Sequence, residues 1–210
     1  MDYGKMALVT LFAISMVGSP GPVNMLLMAS GANFGYRRSF PFLIGSISGF
    51  LLVCIATALG LGTLFTTSPV LQLVFLGASL FYILYLAWRV AMANPTLATA
   101  TEQPGFLSGI VLHPLNPKAW VTIVAAYSQF ISPDDSYVTQ AIVIILIFLI
   151  VSLPFNSLWC YGGDILRRLV TSTQIMRVIN ISLAALMLIA VGFALVQADV
   201  LKPLLATLGS

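Results

Sequence analysis

Charge is what this sequence has least of. Nine Lys and Arg, six Asp and Glu and one His are spread over 210 residues. A charged fraction of 7% compares with about a quarter in ordinary soluble domains, and excludes that class. The net charge of +3 is too small to call for a nucleic-acid partner. Acids are too few and scattered to cage a hard cation, and two cysteines with one histidine make no soft-metal spacing. No cofactor is therefore expected. Cys54 and Cys160 both lie in apolar runs and read as buried free thiols. No nucleophile sits in a recognisable catalytic motif. Ser19 and His113 could meet only across the chain, so an intramembrane enzyme is a minor alternative. The opening Met1-Asp2-Tyr3-Gly4-Lys5 leads into an apolar run without a clear small-residue cleavage site, and reads as a retained first helix.

What fills the chain instead is apolar. Hydrophobic residues make up 60% and the mean hydropathy is +1.04. About six spans of roughly 20 residues would use most of the length. The pattern predicts an all-α integral membrane protein with spans over about Lys5–Asn33, Ser39–Phe65, Val70–Met92, Gly105–Ile131, Tyr137–Gly162 and Ile175–Gln197. Gly45-Ser46-Ile47-Ser48-Gly49 places small residues four apart, a face for close helix packing. The polar loop Asn94–Pro104 divides a single membrane domain into a first repeat, 1–93, and a second, 105–210. Three spans per repeat is an odd number, so the second copy enters from the opposite side and the repeat is inverted.

The first and fourth spans are interrupted in matching places. Ser19-Pro20-Gly21-Pro22-Val23-Asn24 and His113-Pro114-Leu115-Asn116-Pro117-Lys118 cannot continue a helix, because proline has no amide hydrogen and clashes with the preceding turn. Broken backbone is tolerated in a bilayer only where protein or a watery cavity surrounds it. Paired interruptions near the midplane are the signature of a secondary transporter. Pro22 and Pro117 are suited to starting half-helices, whose exposed amides favour a carboxylate. The carbonyls freed at Met16, Gly18, Ile110 and His113 are candidates for an ammonium. Together they would suit a zwitterion, whereas a plain proline kink would leave no site.

The candidate substrate-binding residues are therefore Pro20, Gly21, Pro22, Asn24, Asn116, Pro117 and Lys118. Lys118 is the only Lys or Arg read deep in a span; it would hold a carboxylate, lose its proton during coupling, or neutralise a structural acid. His113 is a second proton-coupling candidate or a packing histidine. Asp164 is a third, or a structural partner of Arg167 or Arg168. Asn156 and Asn180 would contact substrate or bridge helices. Arg37, Arg38, Arg89, Arg167, Arg168 and Arg177 fall on one side of the six spans, with Lys5, Lys202, Asp134 and Asp135 on the other. The positive-inside rule makes the arginine side cytoplasmic and puts both termini outside.

Pro20-Gly21-Pro22 followed by Gly31, Gly35, Arg37 or Arg38, Gly45 and Gly49 resembles the signature of the LysE/RhtB amino-acid exporters. Asn116-Pro117-Lys118, and Asp164 with Arg168, are also similar to that family. The resemblance spans nearly the whole chain. It implies proton-driven export of amino acids or their derivatives by alternating access through a bacterial inner membrane. The Pro-Gly-Pro-Val-Asn context looks closer to the branch that exports small neutral amino acids such as cysteine, O-acetylserine, homoserine or threonine. Basic amino acids, or another small solute such as a metal cation, are the alternatives. The partners expected are the amino-acid substrate, protons and bilayer lipid, with a homo-oligomer left open.

Overall fold

Ser19, Pro20 and Gly21 stop one helix and start another. The computed structural model describes residues 1–62, 69–92 and 104–197. Helix α1 (Tyr3–Gly18) ends where Ser19 turns extended, and α2 (Pro22–Phe34) begins with proline at its first position. The two are bent by 57° at the break. Asp2 opens α1 by accepting the Lys5 amide at 2.8 Å, a side-chain N-cap. Gly35, with φ +84°, ends α2 and starts α3 (Tyr36–Ala58) in a conformation that glycine alone adopts readily. There follow α4 (Pro69–Ala91), the short α5 (Phe106–Ile110), α6 (Pro117–Phe130), α7 (Tyr137–Leu169) and α8 (Thr173–Gln197).

Several boundaries differ from those read in the sequence. The second helix starts at Tyr36 and ends at Ala58, short of Phe65. Arg37 and Arg38 thus occupy its first turn, because Gly35 alone makes the reversal. The fifth helix continues past Gly162 to Leu169, so Asp164, Arg167 and Arg168 are helical and not in a loop. The segment before the second break is only five residues of helix, followed by turns up to Asn116. Most of the Asn94–Pro104 loop, the turn at Thr66–Ser68, and Lys202 lie outside the described residues. Among those described, three helices are long and apolar enough to cross a membrane, and the bent α1–α2 pair passes the same test when taken together, for up to four spans.

The ends of the bundle sort by charge. At 1.5 Å per residue, the 33 residues of α7 reach about 50 Å. At its start, the Met1 ammonium lies 3.4 Å from Asp135, and Tyr137 donates to the Ala58 carbonyl at 2.7 Å. At its far end Arg168 pairs with buried Asp164 at 2.6 Å, and Arg167 lies against Gly35.

Two apolar cores stack between these ends. One gathers Leu26, Leu27, Phe42, Leu43, Ile83, Leu183 and Met187. The other gathers Val9, Ala13, Phe50, Val53, Ile123, Ile144 and Phe148. The most extensive pairings are α2 with α7 and α3 with α5, and glycine permits both. A Cβ on Gly31 would overlap the Cys160 carbonyl, and one on Gly163 the Met28 carbonyl. Gly45 and Gly49 meet the Phe106 and Ile110 carbonyls in the same way. Backbones in van der Waals contact are how small residues hold membrane helices together. Between α2 and α8, Asn33 and Asn180 exchange amide hydrogen bonds at 3.0 Å, so Asn180 bridges helices. Cys54 and Cys160 are buried free thiols.

Candidate functional site: a polar cavity between the two breaks

Both breaks open onto one cavity between the two apolar cores. Its walls include Met16, Val17, Gly21 and Asn24 from the first break, and His113, Asn116 and Lys118 from the second. Phe50, Thr122, Ser152 and Asn156 complete them. The space open to the centre of a water molecule is about 40 Å³, room for about three waters.

At the first break the freed carbonyls are recaptured locally. The Asn24 amide donates to Val17 O and Ser19 O, both at 2.9 Å. The Ser19 hydroxyl donates to Met16 O at 2.9 Å. At the second break the Asn116 amide donates to His113 O at 3.0 Å, and the Trp120 indole to Pro114 O at 2.9 Å. Met16 and His113 carbonyls, read as ammonium seats in the sequence, therefore already hold donors. Unsatisfied carbonyls are too costly at this depth to wait for a ligand.

The two new helix starts differ. Asn116 caps α6 through its side chain, accepting the Lys118 amide at 3.1 Å. No side chain caps α2 at Gly21. Instead Lys118 reaches across from the other break. Its Nζ donates to Ser19 Oγ at 2.8 Å and approaches Ser19 O at 3.4 Å. It would stand 3.2 Å from a Cβ on Gly21, so glycine leaves the ammonium room over the start of α2. A full positive charge and the positive end of a helix dipole thus converge. Among the described residues no carboxylate pairs with Lys118.

His113 packs on the Phe50 ring with centroids 5.0 Å apart. Its Nδ1 is buried with no hydrogen-bond partner among the described residues. Of the residues singled out in the sequence, Met16, Gly21, Asn24, His113, Asn116, Lys118 and Asn156 share the cavity. Pro20, Pro22 and Pro117 shape the turns beside it without lining it. Asp164 lies elsewhere, paired with Arg168 near Gly35 at the arginine end. Thr122 and Ser152 were not picked out in the sequence. The available signal was helical spacing: Thr122 stands one turn after Lys118, and Ser152 one turn before Asn156.

A second, larger cavity of about 710 Å³ lies toward the arginine end. Ser30, Asn33, Phe42, Tyr82, Trp88 and Arg89 are among its walls.

Apolar helices long enough to cross a bilayer, packed around a cavity that two backbone breaks border, define a multi-pass membrane transporter. The sequence profile of the LysE type translocators matches residues 14–198, and the chain belongs to that family. A cysteine/O-acetylserine efflux protein of Klebsiella pneumoniae is 32% identical over 155 residues, covering 72% of this chain and 78% of the relative. Proteins of the same description from Escherichia coli O1:K1 and K12 are 29% and 28% identical, each covering 80% of this chain and 86% of their own length. No solved structure matches the chain.

Proposed function

We propose that this protein exports small neutral amino acids or their derivatives from the bacterial cytoplasm, driven by protons through alternating access. The observation that carries this is the Lys118 ammonium held over the start of α2 without a carboxylate partner. It offers an amino-acid carboxylate a charge and a helix N-terminus together. The relatives' description as cysteine/O-acetylserine efflux proteins supports the same substrate class. The cavity walls contain no acid among the described residues, which disfavours lysine or arginine as cargo.

In this scheme Gly21, Asn24, Asn116 and Lys118 form the substrate site, with Pro20, Pro22 and Pro117 holding the breaks open. Lys118 and His113 are proposed to carry the coupled proton at the cavity, and Asp164 is a candidate further along the path. A cavity holding only a few waters is too small for an amino acid, so the surrounding helices must part to admit cargo. The larger cavity toward the arginine end is the proposed cytoplasmic approach.

The helices are proposed to form six spans in two inverted repeats. Support comes from the pairing of the broken first span with α7 and of the broken fourth with α3, while α4 packs on α8. Exchanging the first three spans for the last three leaves that set unchanged. The arginine end is proposed to face the cytoplasm, with both termini outside the inner membrane.

The test is transport by the purified protein in proteoliposomes. Labelled cysteine, O-acetylserine, homoserine, threonine and lysine are followed under an imposed pH gradient, with and without a protonophore. The expected result is protonophore-sensitive movement of the neutral compounds and little of lysine. Movement of none of them would refute the proposal.

A further inference from the structure

Three side chains in the cavity remain without work. Thr122, Ser152 and Asn156 are buried, at 7%, 3% and 3% exposure, and all three line the cavity. Among the described residues none gives them or takes from them a side-chain hydrogen bond. Buried hydroxyls and amides are ordinarily paired, and these three line one space. Of the other polar groups nearby, the Asn24 amide nitrogen donates to two carbonyls, Asn116 Oδ1 accepts an amide, and Ser19 bonds Met16 and Lys118, while His113 Nδ1 has no partner among the described residues.

We propose that Thr122, Ser152 and Asn156 form the seat for the substrate's α-ammonium group. This assignment rests on the amino-acid exporter function proposed above. A zwitterion brought into an apolar bundle needs acceptors for its ammonium as much as donors for its carboxylate. Lys118 can supply the donors. The Met16, Val17, Ser19, His113 and Pro114 carbonyls at the breaks already hold internal donors. Two hydroxyl oxygens and one amide oxygen on the facing α6 and α7 are acceptors still available, and all can turn toward an ammonium.

The spacing fits. Thr122 follows Lys118 by one helical turn on α6, about 6 Å along the axis. An amino acid lying along that face would set its carboxylate at Lys118 and its ammonium near Thr122, with Ser152 and Asn156 approaching from α7. The seat is neutral, which suits export. A carboxylate there would hold the ammonium as an ion pair and slow its release.

Counterflow in proteoliposomes tests this with three probes: L-serine, L-2-aminobutyrate and glycerate. Serine and 2-aminobutyrate share the ammonium and differ in the side-chain hydroxyl. Glycerate keeps the carboxylate and hydroxyl but has no amine. The parent should carry both amino acids and carry glycerate about tenfold or more poorly. Ser152→Ala with Asn156→Leu should raise the apparent KM for both amino acids by the same factor, about tenfold or more. Thr122→Val should act alike, and Thr122→Ser, which keeps the hydroxyl, should restore near-parental transport.

Unchanged KM in the apolar variants would overturn the proposal, since the three groups would then merely be hydrated. Loss confined to serine would overturn it in favour of a side-chain pocket. Failure of Thr122→Ser to recover would assign Thr122 to packing and remove it from the seat. A parent that carries glycerate but neither amino acid would refute the ammonium seat and the exporter function together. A parent that carries amino acids while the variants stay normal would refute the seat alone.

Discussion

Replacing Lys118 by methionine separates transport from folding. Methionine keeps most of the apolar stem and removes the charge. In the folded protein Lys118 has one close polar contact from its ammonium, the Ser19 hydroxyl at 2.8 Å, with Ser19 O at 3.4 Å. Ser19 Oγ still donates to Met16 O in the variant, and Ser19 O still accepts from Asn24. No donor or acceptor is orphaned, so the lost bond costs about 1 kcal/mol or less. Removing a half-buried ammonium that has no carboxylate partner relieves a desolvation cost of similar size or larger. The variant should therefore insert normally and melt at or above the parental temperature. The substrate carboxylate, by contrast, loses a charge-assisted bond of about 1.5–3 kcal/mol, or about 10- to 150-fold in apparent affinity. Thermal melting in detergent and counterflow kinetics on one preparation read both quantities. Export within about threefold of the parent would refute a carboxylate seat at Lys118. Unfolding with lost transport would make Lys118 a strut across the breaks.

The double change Pro20→Ala and Pro22→Ala should let α1 and α2 run straight, releasing Asn24 from Val17 O and Ser19 O. It should keep or raise heat resistance and abolish transport, and normal transport would remove the break from the mechanism. Gly31→Ala or Gly163→Ala drives a methyl into the backbone of the facing helix. Each should cost about 1–3 kcal/mol or more, seen as a lower melting temperature. At the Asn33–Asn180 pair, Asn33→Leu alone should destabilise by about 1–3 kcal/mol, since it leaves a buried amide short of a partner. The double Leu variant should recover part of that loss, and strict additivity in melting experiments would refute coupling between the two amides. A cysteine introduced in the Asn94–Pro104 loop should react with reagents from the cytoplasmic side, and one near Asp134 from outside. Native Cys54 and Cys160 are fully buried and should add little background, and the reverse labelling pattern would invert the proposed orientation.

The sequence by itself determined the solvent and the breaks. Long apolar runs with few charges leave a bilayer as the only fitting surroundings, and proline removes backbone donors wherever it stands, so the paired Pro20 and Pro22, and Pro114 and Pro117, interrupt helices, whereas the single Pro41 and Pro154 lie within α3 and α7. Asn116 caps α6 as its place before proline requires, because capping is a contact between near neighbours. Gly45 and Gly49 were readable as a packing face for the same local reason, though not as the partners of Phe106 and Ile110. Helix ends were less legible: only the fold shows that Gly35 makes the whole reversal before α3, or that α7 carries Asp164 and Arg168 as an ion pair one turn apart. The tertiary structure alone decided which carbonyls at the breaks are filled, since that depends on where Ser19, Asn24 and Trp120 swing. It alone carried Lys118 across to Ser19 and Gly21, and it alone turned Thr122, Ser152 and Asn156 toward one space. A threonine one turn past a lysine is a pattern any helix can show. Whether it faces lipid, a neighbour or a cavity is fixed by the rotation of α6 against α7, and that rotation is set by the sum of packing contacts between helices far apart in the chain.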